Sequence, residues 1–99
     1  MNKSEYLLVC LMEECAEVQQ IAAKCLRFGL DNYHPSDEAK TPNYQELRRE
    51  LNDLDGIRIM LHVETRLPFE PEIDQTTPMK KINKVRRYME VSRGCGTLE

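Results

Sequence analysis

Leu7-Leu8-Val9-Cys10-Leu11-Met12-Glu13-Glu14-Cys15-Ala16-Glu17-Val18-Gln19-Gln20-Ile21 is the stretch that decides the fold. At about 100° per residue, Leu7, Leu11, Val18, Ile21 and, one turn on, Cys25 all fall within about 60° of Glu14. Glu17, three residues further on, shares that face. The same pattern recurs in Glu50-Leu51-Asn52-Asp53. Taking Glu50 as the origin, Leu47, Leu54, Ile57 and Leu61 lie on its face, again with an acid at i+3. Each carboxylate pair therefore sits on or beside the stripe that ought to be dry. Ionised carboxylates are rarely buried unless paired or bound to a cation. Four of them converging between two helices call for a metal ion.

Around these two segments the chain divides simply. A first helix is expected from about Ser4 to Phe28, opened by the capping box of Asn2 and Glu5 and stopped by Gly29. Residues 29–40 are polar and aperiodic and read as a loop. A second helix opens at Thr41-Pro42, with Thr41 as N-cap and Pro42 at the first helical position, and runs to Thr65 or Arg66. Two prolines break the linker Leu67-Pro68-Phe69-Glu70-Pro71-Glu72-Ile73-Asp74-Gln75. Thr77-Pro78 then starts a third helix reaching about Ser92, with Met79, Ile82, Val85 and Met89 apolar. Gly94 and Gly96 end it, and the tail beyond is expected to be loose. The fold class is all-α: three main helices in one domain over residues 1–99. Helices with such wide apolar stripes in so short a chain point to a bundle completed by self-association.

Composition excludes several classes. No apolar run approaches the roughly 20 residues of a membrane span, and the start lacks the apolar core of a signal peptide, so a cytoplasmic protein is expected. Cys10, Cys15, Cys25 and Cys95 show no metal-binding or redox spacing, and the three on the first helix read as small buried apolar residues. Net charge is −3, unevenly spread. Residues 79–93 hold Lys80, Lys81, Lys84, Arg86, Arg87 and Arg93 against Glu90, a local excess of +5, so the remainder carries −8. An acidic body with one basic helix suits a metal–polyphosphate site better than a nucleic-acid surface.

The candidate ligands are all oxygen, the set preferred by Mg²⁺ or Mn²⁺. A di-iron bundle would need Glu-x-x-His on two helices, whereas positions 17 and 53 are Glu and Asp. His34 and His62 read as surface or packing residues. Magnesium held by carboxylates commonly takes substrate phosphates as further ligands. Lys81, Lys84 and Tyr88 on the third helix, and Lys24 two turns beyond Glu17, are the candidate phosphate contacts. No Ser/His/Asp or Cys/His nucleophile set and no Walker-type loop is present. The chemistry that fits is metal-assisted attack of water on phosphorus.

Glu13-Glu14-Cys15-Ala16-Glu17-Val18-Gln19-Gln20, then Lys24, then Arg27-Phe28-Gly29-Leu30-Asp31, then Asn43 and Glu50-x-x-Asp53, resembles the MazG-like, all-α nucleoside triphosphate pyrophosphohydrolases. The C-terminal Lys81-Ile82-x-Lys84-Val85-x-x-Tyr88, with Ser92 and Gly96-x-Leu98, is similar to short single-domain members found in phages and bacteria. The resemblance implies Mg²⁺-dependent hydrolysis of the α–β phosphoanhydride of a nucleoside or deoxynucleoside triphosphate, giving monophosphate and pyrophosphate. It implies Glu14, Glu17, Glu50 and Asp53 as metal ligands, with Glu13, about 100° round the helix from Glu14, as an outer base or a structural residue. Phe28 and Tyr33 are its candidates for stacking on the base. It further implies a homodimer or homotetramer, in a bacterial cell or a phage-infected one. A phosphoribosyl-ATP pyrophosphatase shares this logic, and a catalytically silent nucleotide- or partner-binding bundle is the alternative outside enzymes.

Overall fold

Asn2 opens the first helix by the expected reciprocal cap. Its Oδ1 accepts the Glu5 N–H at 2.9 Å, and Glu5 Oε2 accepts the Asn2 N–H at 2.9 Å. In the computed structural model, which describes residues 1–70 and 76–99, this helix is α1, Lys3–Phe28. It is followed by α2, Asn43–Thr65, and α3, Thr76–Gly94; the described residues contain no strand. The all-α, three-helix architecture matches the reading of the periodicity. Residues 71–75 of the second linker, and the side chain of Thr77 expected to start the third helix, lie outside the described residues.

Gly29 stops α1 with φ 97° and ψ 145°, its N–H donating to the Cys25 carbonyl at 2.9 Å. An added Cβ would meet Asn32 Cβ at an ordinary 3.8 Å, so the demand for glycine comes from the backbone torsions and not from crowding. Gly29→Ala should therefore cost about 1–3 kcal/mol in urea unfolding.

The start of α2 differs from the expected Thr41 cap. Pro42 occupies the cap position and Asn43 the first helical one, with no side-chain cap. Thr41 lies one residue before the cap, turned to Asp37: Asp37 Oδ2 accepts its N–H at 2.8 Å, and the Thr41 side chain bonds the same carboxyl. Loop carbonyls do the capping instead: Asn32 O accepts the Asn43 N–H at 2.7 Å, and Leu30 O accepts the Tyr44 N–H at 3.0 Å. Asp37 also accepts the Ala39 N–H at 3.0 Å. The Thr41 backbone bond leads in holding the Asp37 carboxyl below its usual range; slight burial opposes it, and the Thr41 side chain, Ala39 and His34 help it.

Helices α1 and α2 form an antiparallel hairpin. Asn43 Nδ2 donates to the Gly29 carbonyl at 2.9 Å at the closed end, and Lys3 reaches Glu64 at 3.6 Å at the other. Leu7, Ile21, Cys25 and Leu61 are buried between them. Leu11, Val18, Leu47, Leu54 and Ile57 are half-buried, so every residue of the two expected stripes faces the contact. Cys25 is buried and Cys10 half-buried, as small apolar residues. Cys15 departs from that expectation: it lies about 100° off the Glu14 face and is exposed.

Past α2, Arg66 adopts a left-handed cap at φ 58°, its N–H donating to His62 O at 2.9 Å. The linker then doubles back along the helix. His62 Nδ1 bonds the Leu67 carbonyl at 2.6 Å, and Arg58 Nε donates to the Phe69 carbonyl at 2.6 Å. His62 is thus a packing residue. Helix α3, among the described residues, packs against neither α1 nor α2. The radius of gyration, 17.1 Å, exceeds the roughly 13 Å of a compact chain this long for that reason. The tail is tied, contrary to expectation: Ser92 O accepts the Thr97 N–H at 3.0 Å, and Arg93 Nε donates to Glu99 O at 3.0 Å.

Candidate functional site

One register runs through the hairpin. Lys3 meets Glu64 at one end, and each step along α1 is matched by an equal step back along α2, which sets Glu14 opposite Asp53 and Glu17 opposite Glu50. Glu14, Glu50 and Asp53 each present a carboxylate oxygen, and these three atoms lie within 4.8 Å of one another. Glu14 and Glu50 are half-buried and Asp53 is exposed. Glu14 Oε2 and Glu50 Oε2 are buried without a hydrogen-bond partner. Such atoms lose hydration without compensation unless a cation or a proton supplies it.

Glu17 is exposed, and its carboxyl lies within hydrogen-bonding range of Glu50. That hydrogen bond leads in pushing the Glu50 carboxyl above its usual range, followed by burial and the Glu17 charge. Arg49, whose Nη2 is 3.7 Å from Glu50 Oε1, opposes it, and Asp53 adds to it. Arg49 cannot compensate fully because Glu46 holds it more closely, at 2.6 Å. With both acids ionised, the oxygen of Glu50 facing away from Arg49 is the one left bare.

A carboxyl with a raised pKa in the fold holds its proton longer folded than unfolded, so it contributes stability in acid. That contribution is complete below the ordinary glutamate value of 4.5 and is lost as pH rises through the raised value. Calorimetry of chelator-treated protein should show the midpoint falling over that interval, and Glu50→Gln should remove the slope. Asp37 acts oppositely and lower down: its contribution is present above 3.8 and lost as pH falls through its depressed value.

The other candidates are distributed as follows. Glu13 is exposed and turned away from the cluster. Lys24 lines an open pocket of about 710 Å³ with Phe28, Asn32, Tyr33, His34, Pro35 and Asn43. Seven residues separate Glu17 from Lys24, about 10 Å along α1 on nearly one face, so the pocket lies beyond the acids toward the closed end of the hairpin. Asn32, His34 and Pro35 escape sequence reasoning as pocket residues because an aperiodic loop carries no facing information. Lys81, Lys84 and Tyr88 are exposed on α3 and are not brought to the acids within one chain.

Compared with protein-family models, curated proteins and solved structures, the chain finds no match. No helix among the described residues is long and apolar enough to cross a membrane.

Proposed function

We propose that the chain is a nucleoside triphosphate pyrophosphohydrolase that uses Mg²⁺, or Mn²⁺ in its place, to split the α–β phosphoanhydride of a nucleoside or deoxynucleoside triphosphate. The observation that carries this reading is the pair of buried carboxylate oxygens without partners on Glu14 of α1 and Glu50 of α2, two residues that cluster with Asp53 of α2. An all-oxygen donor set with orphaned atoms fits a hard cation. Glu14, Glu17, Glu50 and Asp53 would hold it; once bound, it would neutralise phosphate charge and activate water. The protein's own residues supply the rest. Lys24, about 10 Å along α1 from Glu17, would steer phosphate between the acids and the pocket it lines. Phe28 and Tyr33 offer aromatic surface to a base in a pocket of about 710 Å³, the size of an ordinary small-ligand site. Glu13, exposed and outside the cluster, would be an outer base or a structural residue.

Lys81, Lys84 and Tyr88 enter this reading only through a second copy, in a homodimer or homotetramer of a cytoplasmic enzyme with no nucleic-acid or membrane partner. The test is product analysis by ³¹P NMR over a panel of NTPs and dNTPs with Mg²⁺. Monophosphate and pyrophosphate are expected, with turnover lost on adding EDTA. Orthophosphate as the direct product would overturn α–β cleavage, and nucleotide binding without turnover would favour a regulatory bundle.

A further inference from the structure

Among the described residues, α1 and α3 each leave an apolar face bare. On α1, Leu8, Met12, Cys15, Gln19, Ala22 and Leu26 follow one another at alternating spacings of four and three, a heptad seam on the flank away from the carboxylates. All are exposed, Leu8 at 46%, Met12 at 71% and Leu26 at 89%. On α3, Ile82, Val85, Met89 and Ser92 keep the same alternation. Its three apolar members are 38–44% exposed. The α1 seam is long enough to take the α3 stripe whole: the eighteen steps from Leu8 to Leu26 span about 27 Å, and the ten from Ile82 to Ser92 about 15 Å.

We infer that α3 of one copy seats its Ile82–Val85–Met89 stripe on the Leu8–Leu26 seam of a second copy, and reciprocally, closing a two-fold dimer. Pairing α1 with α1 would leave both α3 stripes bare. Pairing α3 with α3 would bring Lys81, Arg86 and Arg93, the residues flanking that stripe, against their own copies, a repulsive arrangement. The flanks of the α1 seam, among them Val9, Ala16 and Ala23, carry no opposing cation. Charge favours the exchange as well. Residues 79–93 sum to +5, while residues 1–70 sum to −5. The reciprocal contact covers the α1 seam and the α3 stripe in one closed assembly. This inference rests on self-association and is independent of the nucleotide chemistry.

The test places a photo-crosslinking benzoylphenylalanine at Val85 in full-length protein refolded as a mixture of ¹⁴N and ¹⁵N chains. Mixed-isotope cross-links from position 85 to residues 8–26 are expected by mass spectrometry. Single-isotope cross-links to α1, cross-links between two α3 helices, or none to α1 would each overturn the exchange. Sedimentation gives a second readout. Wild type should sediment at twice the 11.6 kDa chain mass at micromolar concentration. Ile82→Asp/Val85→Asp and, separately, Leu8→Asp/Met12→Asp should halve that mass with helix content retained, since all four residues are exposed in the single chain. A monomeric wild type, or a dimer indifferent to either pair, would sink the assignment.

Discussion

Glu50→Gln is expected to lower Mg²⁺-dependent pyrophosphate release by at least about 10²-fold, more than the loss typical of a residue that merely supports a ligand, and to raise the thermal midpoint of the chelator-treated protein at neutral pH. The two effects have one cause. The glutamine keeps a hydrogen-bonding side chain opposite Glu17 but removes a charge that burial, Glu17 and Asp53 all disfavour. The fold gains what the site loses. A residue needed only for packing would move both readouts downward. Glu13→Gln is the matched control, since Glu13 is exposed and outside the cluster; its effect on the midpoint should be small. Full activity in Glu50→Gln would remove Glu50 from the machinery.

What the sequence made legible here was whatever depends on period. Leu7, Leu11, Val18, Ile21 and Cys25, with Leu47, Leu54, Ile57 and Leu61, turn inward because a 3.6-residue repeat fixes which side chains share a face wherever the helix goes. The acids on that face were legible for the same reason. Their partners were not. Whether Glu14 meets Asp53 or slides a turn past it depends on how the loop closes, and closure rests on Asn43 Nδ2 gripping the Gly29 carbonyl and on Asn32 and Leu30 carbonyls capping α2. Those are non-local bonds from an aperiodic stretch. The same bonds explain why Thr41 is not the cap. The placement of α3 was hidden too, since an amphipathic stripe announces that it needs a cover without saying which surface provides it.

Leu61→Ala should have the largest effect on stability. Among the described residues, Leu61, 2% exposed, is the deepest side chain, and of the apolar ones only Leu7, Ile21 and Cys25 are buried with it. Truncating a buried leucine costs about 2–5 kcal/mol. Native domains hold about 5–15 kcal/mol in total, and a hairpin with so small a core belongs at the low end. Urea titration should therefore show most of the single-chain stability gone, while Val63→Ala, at a 64%-exposed position, should change it by less than about 0.5 kcal/mol. Protein concentration makes the result diagnostic. If a second copy covers the exposed stripes, association draws the variant back toward the folded state by mass action, and the Leu61→Ala midpoint should rise with concentration. A low midpoint that ignores concentration would mean that the hairpin stands on its own core; a loss below about 1 kcal/mol would mean that contact between α1 and α2 is not what holds the chain.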